Sequence, residues 1–355
     1  MFPLSAGFGF QLGLIRSGPS VKVKYNQSCV KNPDQVNFPM KTAVVAIGGN
    51  AILKAGEEAS FANQMRNLQS TCAHLARMIR SGYDIVLTHG NGPQVGNILI
   101  QNDLARKKLP SMPLDVCVAE SQGQIGYMIQ QALTEALVKE GVRKVVTCIL
   151  TRVIVDPDDP AFEQPTKPIG PYYEEEEVAE LKATHSWDFA FDEKRGGYRR
   201  VVPSPRPIGI VEFSGIRRLV FGGENQAEVV IASGGGGIPV VDKGGYYTGV
   251  EAVVDKDLAA AVLAVKVREK VFVMLTDVDN AFLDFKSKNP RPLGLVSSAE
   301  MRGHLEGGQF GAGSMAPKVE AALYFLANGG ERAIITSTER IDQALEGRAG
   351  TLIVR

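Results

Sequence analysis

Two lysines occupy positions where an α-helix ordinarily disfavours positive charge. Lys256 and Lys318 each lie at the start of a segment with a helical pattern, DKDLAAAVLAVKV and PKVEAALYFLANGG. The helix dipole stabilises cations at the opposite end, so a lysine at the start is electrostatically unfavourable. A third lysine, Lys167, lies between Pro165 and Pro168 in QPTKPIGPYY, and these prolines stiffen the loop. Lys256 or Lys318 alone would be interpreted as a solvated surface residue, but the set indicates a site that binds an anion.

Glycine-rich turns support the same interpretation. They follow three predicted strands, as GGNA (48–51), HGNGPQVGN (89–97) and SGGGGIP (233–239), and a fourth strand is followed by DVDNA (277–281). Such a turn presents backbone N–H groups, and a following helix adds its positive end. Close packing of a helix on a strand also selects glycine, so one turn would be a weak indication. Three turns at one sheet edge favour a cradle for phosphate groups.

These turns separate strands and helices that alternate from Lys41 onwards. The predicted strands are TAVVAI (42–47), YDIVLT (83–88), KVVTCIL (144–150), EVVIA (228–232), VFVMLT (271–276), RAIIT (332–336) and GTLIV (350–354). The predicted helices are 62–81, 92–108, 123–141, 255–267, 317–330 and 341–347. This alternation predicts an α/β fold with a mostly parallel sheet that helices cover on both faces. Ligands of such sheets bind outside the carboxyl ends of the strands.

The alternation is interrupted between about residues 151 and 207. This part contains many prolines, an acidic run from Glu174 to Glu177, the single tryptophan Trp187 and the basic stretch EKRGGYRRVV (193–202). The acidic run is typical of a solvated helix start, since carboxylates are favoured there. We interpret the region as a small lobe inserted into the sheet domain.

The overall composition excludes several classes of protein. The 39 basic and 39 acidic residues cancel, which argues against a whole-protein field for nucleic acid or an acidic membrane. No apolar run approaches the roughly 18 residues that span a bilayer. The cysteines Cys29, Cys72, Cys117 and Cys148 have no metal-ligand or CxxC spacing, which is typical of reduced thiols in a reducing compartment. The sequence has neither GxxxxGK[ST] nor a GxGxxG followed by a ribose-binding acid, so neither a P-loop enzyme nor a dinucleotide fold is supported.

The first 39 residues differ in composition from the rest. No acidic residue precedes Asp34, whereas Arg16, Lys22 and Lys24 are basic, and a second methionine, Met40, directly precedes the first predicted strand. Two interpretations remain open, an organellar transit peptide and a disordered extension from an upstream start site. We therefore expect a cytoplasmic protein, or an organellar one if residues 1–39 are a transit peptide.

Eight sequence segments resemble the motifs of the carbamate kinases, within the amino-acid kinase family. They are VVAIGGNAIL, HGNGPQVGN, MPLDVCVAESQGQIGYM, VDPDDPAFEQPTKPIGPYY, RVVPSPRPIGIVE, GGGGIPVV, GVEAVVDKDLAA and GSMAPKVEAA. The resemblance runs from about Lys41 to the C-terminus and leaves residues 1–39 outside. It is specific, because the TKP and SPRP segments bracket a lobe that is typical of carbamate kinases and that the related acetylglutamate and UMP kinases lack.

The resemblance implies the amino-acid kinase fold, a three-layer αβα sandwich with a small protruding lobe. It also implies reversible phosphoryl transfer between ATP and carbamate, which gives ADP and carbamoyl phosphate. Mg²⁺ would accompany the nucleotide without a dedicated protein metal site. Members of the family are homodimers, and they often form ATP at the end of arginine breakdown by the arginine deiminase route.

The resemblance further implies a role for each motif residue. The implied catalytic residues are Lys167, Lys256, Asp257 and Lys318, with Asp257 orienting the lysines that hold the phosphates. The implied substrate-binding residues are Gly48, Gly49, Asn50, Gly90, Asn91 and Gly92. The implied nucleotide-binding residues are Gly235, Gly236, Gly237, Lys256, Asp277, Met315 and Lys318. Residues 40–355 would form one domain, with the carbamate half at about 40–225, the nucleotide half at about 226–355 and the lobe at about 151–207.

Two other functions stay open at this point. One is a kinase of the same fold that acts on another small acid, against which the lobe and the TKP motif argue. The other is a regulatory protein that binds nucleotide without turnover, against which the presence of all three lysines argues. A panel of phosphate acceptors separates the first from a carbamate kinase, and an assay of ATP formation from ADP and carbamoyl phosphate tests the second.

Overall fold

The computed structural model describes residues 41–355 except 55, 186, 194–195, 222–227, 286 and 312–314. The interpretations of residues 1–39 therefore lie outside the described residues. The helices are α1 (Phe61–Arg80), α2 (Gly92–Ala105), α3 (Leu114–Lys139), α4 (Glu175–His185), α5 (Phe213–Phe221), α6 (Lys256–Val267), α7 (Ser298–Glu306), α8 (Met315–Ala327) and α9 (Ile341–Leu345). Within the described part of the chain, no helix is both long and apolar enough to cross a membrane.

The strands belong to a large central sheet and to smaller sheets around it. They are β1 (Lys41–Ile47), β2 (Tyr83–His89), β3 (Val146–Cys148), β4 (Arg152–Val155), β5 (Lys167–Tyr173), β6 (Asp188–Asp192), β7 (Gly197–Val202), β8 (Pro207–Ile210), β9 (Val229–Ile231), β10 (Ile238–Asp242), β11 (Tyr247–Gly249), β12 (Val271–Thr276), β13 (Phe282–Leu283), β14 (Arg291–Pro292), β15 (Leu295–Ser297), β16 (Arg332–Ser337) and β17 (Thr351–Val354). The described central sheet has the order β15-β17-β16-β12-β1-β2-β9-β3. Its pairs are parallel apart from β16 with β17.

The hydrophobic core lies on both faces of the central sheet. Alternate residues of β1 point to opposite faces: Val44 packs with residues of α6 and α8, whereas Val45 packs with residues of α1 and α3. This alternation lets helices cover each face with its own apolar cluster. The predicted three-layer αβα sandwich with a mostly parallel sheet is thereby confirmed.

The sheet order brings the four predicted turn segments to one edge. Strands β12, β1, β2 and β9 are consecutive neighbours, and β1 is parallel to both β12 and β2, as β2 is to β9. Their carboxyl ends therefore lie side by side. The segments that begin at Asp277, Gly48, Gly90 and Ala232 follow these four ends in that spatial order.

Two smaller sheets account for most of the interrupted region. Strands β5, β7 and β6 form an antiparallel sheet, and α4 lies between β5 and β6 in the chain. We call residues 167–202 the lobe sheet region. Strands β11, β10, β4 and β8 form a second sheet that connects this region to the body. The predicted strands all belong to the alternating pattern of the sheet domain, and none of them belongs to these two smaller sheets.

Some boundaries differ from the sequence prediction. The helix predicted at 123–141 begins already at Leu114, directly after Pro113, whose extended conformation caps it. It ends as predicted before Gly141, which has φ 72°, in the left-handed region that glycine adopts readily. Strand β3 is shorter than the predicted 144–150, and Thr151 beyond it accepts from the Ser233 amide in the turn after β9.

Candidate active site

A cavity of about 680 Å³ opens at the carboxyl edge of the central sheet. Most of the predicted site residues line it, whether they come from strand ends, helix starts or the lobe. They are Gly48, Gly49, Asn50, Gly90, Asn91, Gly92, Lys167, Gly235, Lys256, Asp257, Asp277 and Lys318. The fold thus brings together side chains that are separated by up to 270 positions from Gly48 to Lys318.

The starts of α6 and α8 meet at a shared carboxylate. Asp257 accepts hydrogen bonds from Lys256 Nζ at 2.8 Å through Oδ1 and from Lys318 Nζ at 3.0 Å through Oδ2. The aspartate is 3% exposed. Burial raises the pKa of its carboxyl, but attraction to Lys256 and Lys318 outweighs burial, and the pKa lies below its usual value. A charged carboxylate therefore holds both lysines beside the cavity, which offsets their unfavourable place at helix starts.

Asp255 links this cluster to the lobe. Its Oδ1 caps α6 by accepting from the amides of Asp257 and Leu258, at 2.9 and 3.3 Å. Its Oδ2 accepts from Lys167 Nζ at 3.5 Å, a long contact whose lysine side chain is 43% exposed. Asp255 was not among the predicted site residues, although an aspartate directly before a helical pattern is the usual signal of an N-cap.

Two amide side chains connect the turns at the cavity to neighbouring elements. Asn50 donates to Asp277 Oδ2 at 3.3 Å, which joins the turn after β1 to the turn after β12. Thr276 donates to the other carboxylate oxygen of Asp277 at 3.0 Å. Asn91 is buried and donates to Ser121 on α3 at 2.8 Å. The structure thus places Asn50 and Asp277, predicted for opposite substrates, in direct contact at the cavity.

The glycines have two different surroundings. A Cβ on Gly49 or Gly92 would meet no atom within 4 Å, so these residues leave open space at the cavity. A Cβ on Gly90 would instead approach Lys256 Cδ to 3.2 Å, and one on Gly235 would overlap the amide of Asn91 at 2.2 Å. The absence of a side chain at Gly90 and Gly235 lets Lys256 and Asn91 take their observed positions.

Three predicted nucleotide residues are not among those that line the cavity, namely Gly236, Gly237 and Met315. A Cβ on Gly236 would overlap the carbonyl oxygen of Val254 at 2.2 Å, and one on Gly237 would overlap Val153 at 2.0 Å. Both glycines have positive φ. Close packing therefore accounts for these two glycines by itself, and the half-buried Met315 packs at the edge of the core.

His89 lies beneath the turn after β2 and is fully buried. Burial lowers the pKa of its imidazole to about 4, and the positive charge of Lys256 acts in the same direction. Its Nδ1 donates to the Gly90 carbonyl at 2.9 Å, with the tautomer set by that acceptor. The residue is thus a neutral support for the turn and not a cation near the phosphates.

The comparison with family models decides the family. The model described as the amino acid kinase family matches residues 41–337. The chain belongs to the amino acid kinase family.

Similar members of the amino acid kinase family are carbamate kinases. The chain is 47% identical over 319 residues to the carbamate kinase of Thermococcus kodakarensis, which covers 89% of this chain and 100% of that protein. It is 44% identical over 314 residues to the carbamate kinase of Trichomonas vaginalis, with 88% and 98% covered. The carbamate kinase from Giardia lamblia bound to AMP-PNP superimposes with a TM-score of 0.84 at 41% identity, covering 89% of this chain and 99% of that one. These matches confirm the resemblance that the motifs indicated.

The cavity of this amino acid kinase family member also has walls that the motifs did not indicate. They include Lys54, Asn67, Ser70 and Thr71 near the start of the chain's described part, and Thr338 and Glu339 after β16. These residues form no recognisable motif in the sequence, and only the fold brings them together. Among the described residues, no group of three or more His, Cys, Asp or Glu side chains could hold a metal ion.

Proposed function

We propose that this protein is a carbamate kinase, which transfers a phosphoryl group reversibly between ATP and carbamate. The observation that carries the proposal is the cluster in which Asp257 holds Lys256 and Lys318 at one cavity, with Lys167 reaching the same cavity from the lobe. Carbamate kinases as similar as 47% over 89% of the chain support the choice of substrate.

The reaction needs positioned positive charge more than covalent chemistry. A carbamate oxygen attacks the γ-phosphorus in line, the new O–P bond forms, and the bond from phosphorus to the bridging oxygen of ADP breaks. Charge spreads over the three equatorial oxygens during the transfer. Because the carbamate anion already carries a nucleophilic oxygen, no protein base has to remove a proton.

Each lysine has a distinct role in this scheme. Lys256 and Lys318 neutralise the transferring and leaving phosphates from positions that Asp257 fixes before substrates bind. Lys167 approaches the carbamate and the γ-phosphoryl from the lobe side. Asp257 stays ionised throughout, because its lowered pKa and its two lysine partners disfavour protonation.

The two halves of the domain divide the substrates. Residues of about 40–225, including Gly49, Asn50 and Gly92, bind carbamate and the phosphoryl group. Residues of about 226–355, including Asp277 and Lys318, bind the nucleotide. The open space beside Gly49 and Gly92 suits a substrate as small as carbamate.

Mg²⁺ enters this scheme with the nucleotide. Three aspartates at the cavity are engaged within the protein, since Asp257 and Asp255 contact lysines and Asp277 accepts from Asn50 and Thr276. Phosphate oxygens would therefore supply most of the ligands, and Asp277 is the least buried of these candidates for a protein contribution. The ion would shield charge between the phosphates.

The proposal extends to assembly and pathway. We propose a homodimer that works in the ATP-forming direction in the arginine deiminase route of arginine breakdown. Sedimentation velocity of the purified protein tests the first part. Comparison of turnover in the two directions at equal substrate saturation tests the second.

One experiment separates the functions considered above. The purified protein is mixed with Mg²⁺, ADP and carbamoyl phosphate, and ATP is measured by a coupled assay, with acetyl phosphate as the matched alternative donor. ATP formation with carbamoyl phosphate supports a carbamate kinase. Activity with acetyl phosphate alone would indicate a kinase for another small acid. Calorimetric ADP binding without ATP formation would indicate a regulator and would refute the proposal.

A further inference from the structure

One face of the lobe sheet region is directed at the body of the molecule. In β5 and β7, Lys167 pairs with Val202 and Ile169 pairs with Arg200, so these four side chains share a face. Ile169 and Val202 are buried in an apolar cluster with residues of α2 and α3. The two cations flank this apolar contact, with Lys167 on one strand and Arg200 on the other.

The surface that receives this face is the segment directly before α6. Its alternate residues contact the lobe: Glu251 pairs with Arg200 at 2.8 Å, and Asp255 pairs with Lys167 at 3.5 Å. Between them Val253 packs in the same apolar cluster as Ile169. The Val253 amide also donates to the Pro203 carbonyl at 3.0 Å, which fixes the register of segment and lobe.

The two ion pairs are unequal. The Arg200 side chain is 10% exposed and its guanidinium also lies 4.1 Å from the centre of the Trp187 ring. Glu251 uses its second oxygen to accept from the Leu114 amide at 2.8 Å, at the start of α3. The Arg200–Glu251 pair is therefore short and connected on both sides, whereas the pair of Lys167 is long and half exposed.

From this arrangement we propose that Arg200 and Glu251 are positioning residues that dock the lobe on residues 251–255 and so place Lys167 at the cavity. Neither residue belongs to the catalytic cluster itself. The inference rests on the role that the proposed function gives to Lys167, and it adds how that lysine is held. Docking of the lobe holds the backbone of Lys167 at the cavity. Its side chain makes only the long contact with Asp255, so the ammonium group can still reach the substrate.

Glu251→Gln is the first test, because glutamine can still accept from the Leu114 amide while losing its charge toward Arg200. We expect kcat for ATP formation to fall roughly fivefold, an intermediate effect because the guanidinium is buried and the carboxylate half exposed. The Kd of ADP should change less than twofold. Trp187 is the single tryptophan, so its emission should shift as Arg200 loses its partner.

A double-variant comparison distinguishes positioning from general destabilisation. In a Lys167→Ala background, Glu251→Gln should change kcat less than twofold, since the lysine that it positions is gone. A fivefold loss in both backgrounds would overturn the inference, as would unchanged kcat and unchanged Trp187 emission in the otherwise natural chain. A protein without any turnover of carbamoyl phosphate would refute the proposed function instead, and Trp187 emission would still report docking.

Glu180→Gln is the matched control. Glu180 on α4 also pairs across to the body, with Arg106 directly after α2, but at 3.6 Å and with 72% of its side chain exposed. This variant should leave kcat and Trp187 emission unchanged, because so exposed a pair contributes little. A loss equal to that of Glu251→Gln would show that any carboxylate paired between lobe and body has this effect and would overturn the specific role of Glu251.

Discussion

Two buried carboxylates at opposite edges of the central sheet behave in opposite ways. Asp257 lies at the carboxyl edge between two lysines, and its pKa is lowered. Glu269 lies at the amino edge, directly before β12, and is 2% exposed. Burial raises the pKa of Glu269 to about 7, an effect that nearby Thr42 and the Lys270 amide only partly oppose and that Asp84 strengthens. The two carboxylates are about equally buried, so the two lysines beside Asp257 account for the difference between their pKa values.

The difference shows what the lysines and Asp257 do for each other. Without cationic neighbours a carboxylate in this sheet domain moves toward its neutral form, as Glu269 does. With them it stays ionised and can hold two ammonium groups a short distance apart. Asp257 thus holds the two lysines in place in the absence of phosphate, at the edge where ligands of parallel sheets bind.

Among the variants that test this comparison, Asp257→Asn should have the largest effect on stability. It leaves Lys256 and Lys318 close together without a compensating charge, and we expect the free energy of unfolding to fall by about 3 kcal/mol at pH 7. The loss should shrink in acid, because a group with a lowered pKa contributes stability that disappears as pH falls through that pKa. Urea unfolding at several pH values measures both. Equal stability of the variant and the natural protein at pH 7 would contradict the role of the shared carboxylate.

Lys318→Met tests the catalytic side of the same cluster. Loss of one positioned donor in a site of this kind costs about 2.7–4 kcal/mol, so turnover should fall roughly 10²–10³-fold in a folded protein. Lys256→Met should behave alike. The control is Lys266→Met in the last turn of α6, where the side chain is exposed and turnover should not change. Natural turnover in a folded Lys318→Met protein would exclude its assigned role.

Glu269→Gln should sharpen the contrast at the other edge. Because the pKa of Glu269 is raised, the folded protein binds more protons than the unfolded chain between about pH 4.5 and 7, and stability falls as pH rises through this window. We expect the natural protein to lose about 2 kcal/mol more than the variant between pH 5 and pH 8. Glu331→Gln, an exposed carboxylate beside Lys270, is the control. Identical pH profiles for all three proteins would show that Glu269 titrates normally.

Lys167→Ala should have the smallest effect of the four on the protein as a whole. The half-exposed side chain contributes little to folding, but transfer to or from carbamate should slow roughly 30-fold, or about 2 kcal/mol. ADP affinity should change little, since the nucleotide is held by the other half. Calorimetry and steady-state turnover on the same sample measure both. A loss of ADP binding as large as the loss of turnover would contradict the assignment to the carbamate side.

The sheet edge was predictable from the sequence, whereas the contacts at that edge were not. Runs of apolar residues and glycine-rich turns are local signals in the sequence. They identified β1, β2, β9 and β12 together with the turns that follow them. The sharing of Asp257 by Lys256 and Lys318 depends on how α6 and α8 pack, and Lys318 is 61 positions away from its partner. The pattern alone could show that both lysines are out of place, but not what holds them.

The lobe was harder to predict for a different reason. The sequence of β5 contains prolines at 168 and 171, and these weaken the pattern that predicts a strand. Its pairing with β7 also shifts register between Ile169 and Tyr173, so the side-chain alternation is broken. Glycines are ambiguous in a different way, because an added Cβ at Gly236 or Gly237 would overlap protein atoms, so close packing selects glycine there whether or not the backbone binds phosphate.

The segment at residues 251–255 constrains how the length of this chain can change. Glu251, Val253 and Asp255 face the lobe, while Ala252 and Val254 between them are buried against the body. Inserting one residue within the segment would exchange the two faces of its remaining residues and direct a carboxylate into the core. A two-residue change would preserve the facing but would move Glu251 or Asp255 out of register with its partner in the lobe. We therefore expect engineered insertions and deletions within this segment to destabilise the protein, and those of one residue to do so most.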